Sequence, residues 1–292
     1  MERKHLHLKG PALSRIVAGA WRWDAAHASD VDTLINTSID AGITSFDHAD
    51  IYGDYENQKI FGEVIKKNPA IRKNIQLISK CGIMLKSSKH PQTWVKHYDT
   101  SKAHILKSVD NSLKELATDY LDLLLIHRPD PFMDPEQVSE TFGLLKQSGK
   151  VLHFGVSNFT PTQFEMLQQF LPFPLVTNQI EFSLSKLDAL YDGTLDVLLK
   201  NETAPMAYSP LGQGKLVSQN GESSLWFNKE KYQASETQLA LAWLLAHPAN
   251  IFPVIGTTKP ERILESAKAV DIKIARQDWF EMLRISSGNE VP

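Results

Sequence analysis

Eight short runs rich in Val, Ile and Leu recur along the 292-residue chain, each followed by a segment of helical periodicity, and this alternation constrains the fold more than any other feature. The runs fall at residues 16–21, 45–50, 75–82, 121–127, 151–158, 175–182, 204–211 and 252–257. The helical patterns fall at 29–41, 56–66, 100–116, 135–148, 161–170, 187–199, 235–246 and 260–269. Strands that are apolar on both faces and lead into helices belong to a parallel sheet covered by those helices. Eight such units in succession favour closure into an α/β fold of the (β/α)8 TIM barrel type over an open doubly wound sheet. Such a barrel takes roughly 250 residues as one unit, so residues 1–292 are read as one barrel domain.

Local signals punctuate the same pattern. Ser29 or Asp30, Thr100, Asp134, Thr160 and Ser235 stand where helix N-caps are wanted, and Gly42 and Gly149 stand where helices close. Two pieces fall outside the eight units. Residues 5–8 and 12–13, broken by Gly10-Pro11, read as an N-terminal β-hairpin plugging the bottom of the barrel. The tail Asp278-Trp279-Phe280-Glu281-Met282-Leu283 reads as an extra amphipathic C-terminal helix.

Composition removes several function classes. A formal charge of −3 gives no reason to expect nucleic acid or an anionic membrane as partner. Cys81 is the only cysteine, so no internal disulfide forms, which suits a reducing compartment. By strand alternation its thiol points under the helices as an inert buried group. The start of the chain lacks the apolar core of a signal peptide, and no run of ~18 apolar residues occurs, so a cytoplasmic protein with no membrane partner is expected. A monomer is the expected state.

Two glycine patterns invite false readings. Between Gly143 and Gly149-Lys150 lie five residues where a phosphate-binding P-loop has four, and Val151 replaces the Ser or Thr that would meet magnesium. Gly212-Gln213-Gly214 lacks the third glycine of a dinucleotide fingerprint. None of the histidines falls at metal-ligand spacing, so no metal site is expected.

In a parallel barrel the reacting groups gather at the C-terminal ends of strands. Those ends carry Asp47 and Tyr52 after the second run, Lys80 on the third and His127 on the fourth. Each has an ordinary alternative: a structural ion pair for Asp47 and Lys80, a packed loop aromatic for Tyr52, a core imidazole for His127. Together, at successive strand ends, they are far more specific. A tyrosine of ordinary pKa ~10 is a weak acid. A neighbouring ammonium favours the phenolate and makes the hydroxyl a better proton donor. Asp47 would hold Lys80 charged, and a neutral His127 could hydrogen-bond a substrate carbonyl.

The run Phe46-Asp47-His48-Ala49-Asp50-Ile51-Tyr52-Gly53 resembles the signature of the aldo-keto reductase family. So do Ile78-Ser79-Lys80, Leu125-Ile126-His127-Arg128-Pro129, Gly155-Val156-Ser157-Asn158-Phe159, Asn178-Gln179-Ile180-Glu181, Tyr208-Ser209-Pro210-Leu211-Gly212 and Ile255-Gly256-Thr257-Thr258-Lys259-Pro260-Glu261-Arg262. His127-Arg128-Pro129-Asp130-Pro131 is similar to the bacterial branch. The resemblance implies Asp47, Tyr52, Lys80 and His127 as a catalytic tetrad, NADP(H) as cofactor and a small-molecule carbonyl as substrate. It also implies that Ser157, Asn158 and Gln179 meet the nicotinamide carboxamide, that Tyr208 stacks on the ring, and that Ser209 and Leu211 begin the segment along the pyrophosphate and ribose. Read from the residues alone, Thr257, Lys259 and Arg262 surround a helix start, where free N–H groups favour an anion and a guanidinium suits a phosphate. The resemblance places Arg262 on the 2′-phosphate and Glu265 and Ser266 near the adenine, although Ser266 departs from the Asn common there.

Trp21, Trp23 and Phe132 are expected to wall the substrate pocket. Trp226 and Phe227 join them from the long stretch 212–233, which exceeds the usual βα loop; the alternative is that this pair anchors the loop to the barrel rim. Two other functions fit the same fold. One is a cofactor-binding regulatory module resembling channel β subunits, and the other a phosphosugar isomerase or lyase.

Overall fold

The computed structural model describes residues 1–24, 30–217 and 224–290. Eight parallel strands form a closed barrel in chain order. Its first half comprises β1 (Val17–Gly19), α1 (Val31–Asp40), β2 (Ser45–Asp47), α2 (Asn57–Lys67), β3 (Gln76–Cys81), α3 (Lys102–Glu115), β4 (Leu123–Ile126) and α4 (Pro135–Gln147). The second half comprises β5 (Phe154–Ser157), α5 (Pro161–Phe170), β6 (Leu175–Glu181), α6 (Thr194–Lys200), β7 (Met206–Tyr208), α7 (Glu236–Leu245), β8 (Phe252–Ile255) and α8 (Pro260–Ala267). The ring closes where Val254 pairs with Val17 and Ile255 with Ala18. These strands are shorter than the apolar runs because the ends of each run become the loops on which the site is built.

Strand alternation divides the core in two. Val17, Ile78, Leu125, Met206 and Val254 fill the lumen. Phe46, Leu77, Cys81, Leu124 and Ile126 face outward and pack with Leu34, Phe61, Val109, Phe142 and Phe164 of the helices. Burial there pushes the Cys81 thiol well above its usual range.

The N-terminal hairpin pairs Arg3–His5 with Ala12–Ser14, shifted from the expected 5–8 and 12–13. Leu6 and Leu13, both buried, belong to the lumen cluster, and the Leu6 carbonyl accepts from the Ala204 N–H at 2.7 Å, so the hairpin closes the end where the strands begin. At the other terminus, α9 (Arg276–Ser287) lays Trp279 flat on Trp243 with ring centroids 4.6 Å apart. Each indole N–H donates to the other residue's carbonyl, at 3.1 and 2.9 Å.

Asp30, Asp134, Thr160 and Ser235 cap helices as expected, the last two in capping boxes; Ser29 lies outside the described residues. Three local expectations change. Ser101, not Thr100, caps α3, while the Thr100 hydroxyl donates to Asp130 at 2.8 Å. The helix expected over 187–199 is a 3₁₀ turn, Asp188–Leu190, followed by α6, because Gly193 is left-handed at φ 84° and Asp192 accepts from the Thr194 N–H at 2.8 Å. The eighth helix stops at Ala267 and tightens into a 3₁₀ turn, Lys268–Asp271. An antiparallel pair, Ile83–Met84 with His97–Tyr98, stands in the loop after β3 and has no alternating signal in the sequence.

Candidate active site

Asp47 is the last residue of β2, Lys80 lies one residue before the end of β3, and His127 directly follows β4. Neighbouring parallel strands bring these ends to one mouth. The Lys80 Nζ donates to Asp47 Oδ2 at 2.7 Å, to the His48 carbonyl at 2.8 Å and to the Tyr52 hydroxyl at 3.0 Å. Three acceptors satisfy all three ammonium protons, which a buried lysine requires. Burial alone would lower the Lys80 pKa, but Asp47 and Tyr52 outweigh it and hold the group above its ordinary value.

Lys80 lowers the Tyr52 pKa in direction as expected, but it does not set the net shift. Burial is the larger effect and the phenol sits above its usual value, with the Lys80 ammonium opposing that rise. The Tyr52 ring meets the His127 ring edge-on at 5.9 Å between centroids. Burial, followed by the Lys80 charge, pushes the His127 imidazole well below its usual range, so it is neutral at neutral pH. Its Nδ1 has no protein partner among the described residues.

Tyr52 stands at the start of a backbone segment held against its preferences. Gly53, Asp54 and Tyr55 are all left-handed, with φ 57°, 53° and 67°. Each non-glycine residue in that region costs on the order of 1–2 kcal/mol. Glycine is obligatory at the first, because a Cβ there would lie 1.7 Å from Asn57 Oδ1. Buried Asn57 donates to the carbonyls of Ala20 at 2.8 Å and Trp21 at 3.0 Å, and the Tyr55 hydroxyl accepts from the Leu85 N–H at 3.0 Å. These bonds tie the loops after β1, β2 and β3 together around Tyr52.

A second polar group lies across the mouth. The Tyr208 hydroxyl donates to Asn158 Oδ1 at 2.8 Å, Asn158 Nδ2 donates to Ser157 Oγ at 2.8 Å, and Ser157 Oγ donates to the Gln179 carbonyl at 2.9 Å. Asn158 and Ser209 take left-handed backbone, φ 61° and 51°. Further round, Lys259 stands at the N-cap of α8 with no side-chain cap; the Arg262 N–H turns back to the Lys259 carbonyl at 3.1 Å, and the positive end of the helix dipole faces outward beside the two basic residues.

The chain matches the model described as "Aldo/keto reductase family" over residues 15–286. It belongs to the aldo-keto reductase family. It is 46% identical over 288 residues to the uncharacterized oxidoreductase YcsN of Bacillus subtilis (strain 168), covering 96% of each chain. It is 45% identical over 285 residues to a 6-dehydroglucose reductase of Agrobacterium fabrum, again covering 96% of each. Among solved structures, the thermostable aldo-keto reductase Tm1743 in complex with the inhibitor epalrestat superposes with a TM-score of 0.84 at 27% identity, over 98% of this chain and 100% of that one. An aldo/keto reductase from Klebsiella pneumoniae, in complex with NADP and acetate, shares the fold with a TM-score of 0.81 at 24% identity, over 98% and 96%.

In this aldo-keto reductase not every residue singled out from sequence faces the mouth. Trp21 is 57% exposed with the Arg22 guanidinium 5.0 Å above its ring, Phe132 is 95% exposed and Phe227 half exposed. Trp23 does not form a pocket wall. It is 2% exposed, packs against the touching rings of Phe46 and Phe61, and donates its indole N–H to the Thr257 carbonyl at 2.9 Å. Trp226, 3% exposed, donates to the Leu216 carbonyl at 3.2 Å and anchors its loop; residues 218–223 of that stretch lie outside the described residues. Glu265, partly buried, accepts from the Ser235 hydroxyl at the N-cap of α7, and Ser266 is buried.

Sequence reasoning missed Asn57, Arg128 and Asp50. Burial pushes the Tyr208 phenol up and the Arg128 guanidinium opposes that rise, and the place of Arg128 directly after His127 was the available signal. Asp50 accepts from the Ser108 hydroxyl of α3 at 2.7 Å, and burial raises its pKa to about 7. Among the described residues no cluster suits a metal ion and no helix is long and apolar enough to cross a membrane.

Proposed function

We propose that this aldo-keto reductase is an NADPH-dependent reductase of aldehydes and ketones in which Tyr52 is the proton donor. The observation that carries the reading is the buried Lys80 ammonium joined at once to Asp47 and to the Tyr52 hydroxyl, beside a neutral His127.

The residues present fit the cofactor. An amide needs both donors and acceptors, and Ser157, Asn158 and Gln179 offer both at adjoining strand ends. The uncapped N-terminus of α8, with Lys259 and Arg262 on its first turn, suits a phosphate. Tyr208 supplies a ring, and Thr257, Ser209 and Leu211 line the path between. The chemistry this group supplies when bound is a hydride for the carbonyl carbon. His127, held neutral, donates a hydrogen bond to the carbonyl oxygen and fixes its angle. Tyr52 gives that oxygen its proton as charge develops on it, and Lys80 stabilises the phenolate left behind until solvent reprotonates it. Asp47 keeps Lys80 charged through the cycle.

A relative named for reducing a sugar-derived carbonyl widens the expected substrates beyond aromatic aldehydes. The test is a panel of aromatic aldehydes, short aliphatic aldehydes and oxidised sugars, followed by NADPH absorbance. Turnover of at least one class with NADPH supports the reading. Tight NADPH binding with no turnover of any class favours the regulatory-module alternative.

A further inference from the structure

Asp47 is gripped from two sides. Its Oδ2 receives Lys80 at 2.7 Å, and its Oδ1 receives the side-chain amide of Gln179 at 3.1 Å. Gln179 is on β6 and Asp47 on β2, four strands away in either direction round the eight-stranded ring, so this hydrogen bond spans the barrel lumen. Both residues are 2% exposed. A carboxylate at that depth is strongly constrained by its donors, since an oxygen left without one carries its full desolvation cost.

The same Gln179 is fastened to the opposite group. Its carbonyl accepts the Ser157 hydroxyl at 2.9 Å and the Asn158 N–H at 2.9 Å. One residue thus belongs to two networks: Tyr208, Asn158 and Ser157 on one side, Asp47, Lys80 and Tyr52 on the other. We propose that Gln179 is a positioning residue for the proton donor, and that its cross-barrel bond to Asp47 couples the binding of the nicotinamide cofactor energetically to the acidity of Tyr52. This rests on the functional reading above and extends it, because gripping a carboxamide would not by itself require Gln179 to reach Asp47.

The physical link has a sign. The Gln179 amide draws charge from the Asp47 carboxylate; without it Asp47 pulls harder on the Lys80 proton, and Lys80 gives Tyr52 less support. The charged and titratable groups facing Tyr52 are Lys80 from β3, Asp47 from β2, and His127 and Arg128 from the end of β4. His127 is held neutral, and Asp47 and Lys80 are the members that the Gln179 amide reaches, so they are the ones that respond.

Coupling is reciprocal: if cofactor binding shifts the Tyr52 equilibrium, the ionisation of Tyr52 shifts cofactor affinity by the same factor. The experiment is NADP⁺ binding, read by quenching of intrinsic fluorescence across pH, in the wild type and in Gln179→Met, Gln179→Glu and Tyr52→Phe. The component of the pH dependence that is missing in Tyr52→Phe belongs to Tyr52. In Gln179→Met the midpoint of that component should move up by about one pH unit, tenfold in the proton equilibrium. In Gln179→Glu the new carboxyl, ionised where a phenol titrates, adds negative charge beside Asp47 and should move that midpoint up at least as far. If Gln179 only grips the cofactor, Gln179→Met weakens binding while that midpoint keeps its wild-type position, and the coupling is overturned. Should the Met variant fail to fold, the Glu variant carries the test alone. A wild type that does not bind NADP⁺ at all overturns the functional reading and the coupling together, whereas tight binding with an unmoved midpoint overturns the coupling alone.

Discussion

The Lys80 ammonium donates to the Tyr52 hydroxyl at 3.0 Å from a position without solvent access. Removing the phenol oxygen in Tyr52→Phe should therefore abolish the donor and little else. Turnover is expected to fall by about 10²–10⁴-fold, the range of positioned acid catalysis, with NADPH affinity nearly unchanged. Steady-state kinetics beside fluorescence quenching check this, and a near wild-type kcat would remove Tyr52 from the role.

Lys80→Met should lose turnover to a similar degree and also lose stability. It leaves the Asp47 carboxylate buried with only the Gln179 amide as side-chain partner, and breaking a buried pair on one side costs about 3–5 kcal/mol. Denaturant melts of this variant and of Tyr52→Phe separate the two losses, since the latter should melt close to the wild type.

The α8 N-terminus should favour NADPH over NADH, and Arg262→Ala should narrow the difference by about 1.5–3 kcal/mol, the scale of a charge-assisted hydrogen bond. High salt should shrink the effect at this open site. Dissociation constants of both nucleotides decide it; equal affinity in the wild type would leave Lys259 and Arg262 as an ordinary helix surface.

The Asp50 carboxyl, pushed up to about 7 by burial, makes stability depend on pH. Its folded value lies above its unfolded one, so folding favours the protonated form. The contribution is full in acid below the unfolded pKa near 3.9 and is lost as pH rises toward about 7. Asp50→Asn removes the dependence while keeping an oxygen for Ser108. The variant should melt above the wild type at pH 8 and level with it near pH 4, as measured by thermal unfolding followed by circular dichroism.

Trp21 stands exposed in the loop after β1, and if it serves as a substrate wall Trp21→Ala should raise KM for aromatic aldehydes more than for small aliphatic ones while sparing NADPH affinity. An equal shift for both classes would show that the ring forms no substrate wall.

The barrel and its four strand-end residues were legible because both follow from short-range regularities: apolar runs of strand length, helix periods between them, and polar residues where those runs stop. What was illegible depends on contacts between distant positions. Asn57 reaches Ala20 across 37 positions and Ser108 reaches Asp50 across 58, and no period in the chain marks either. Trp23 and Trp226 read in sequence as pocket walls, with anchoring of the loop as the alternative for Trp226, yet the packing of Trp23 against Phe46 and Phe61 and the Trp226 bond to Leu216 place both inside. The net rise of the Tyr52 pKa was illegible for a related reason: a neighbouring charge and its sign can be anticipated from strand order, whereas the depth of burial that outweighs it is a property of the assembled mouth.

With Leu6 and Leu13 filling the lower end and side chains packing the lumen above them, the described residues leave the site to be approached from the mouth. A molecule lying deeper cannot leave past one lying nearer the rim, so the guests must queue. If the cofactor lies beneath the substrate against Tyr208, arrival and departure acquire a fixed order, cofactor in first and out last. The rate of a full cycle is then open to limitation by the last departure. Product-inhibition patterns would show that order as competition between the oxidised and reduced nucleotides, but not between alcohol and aldehyde.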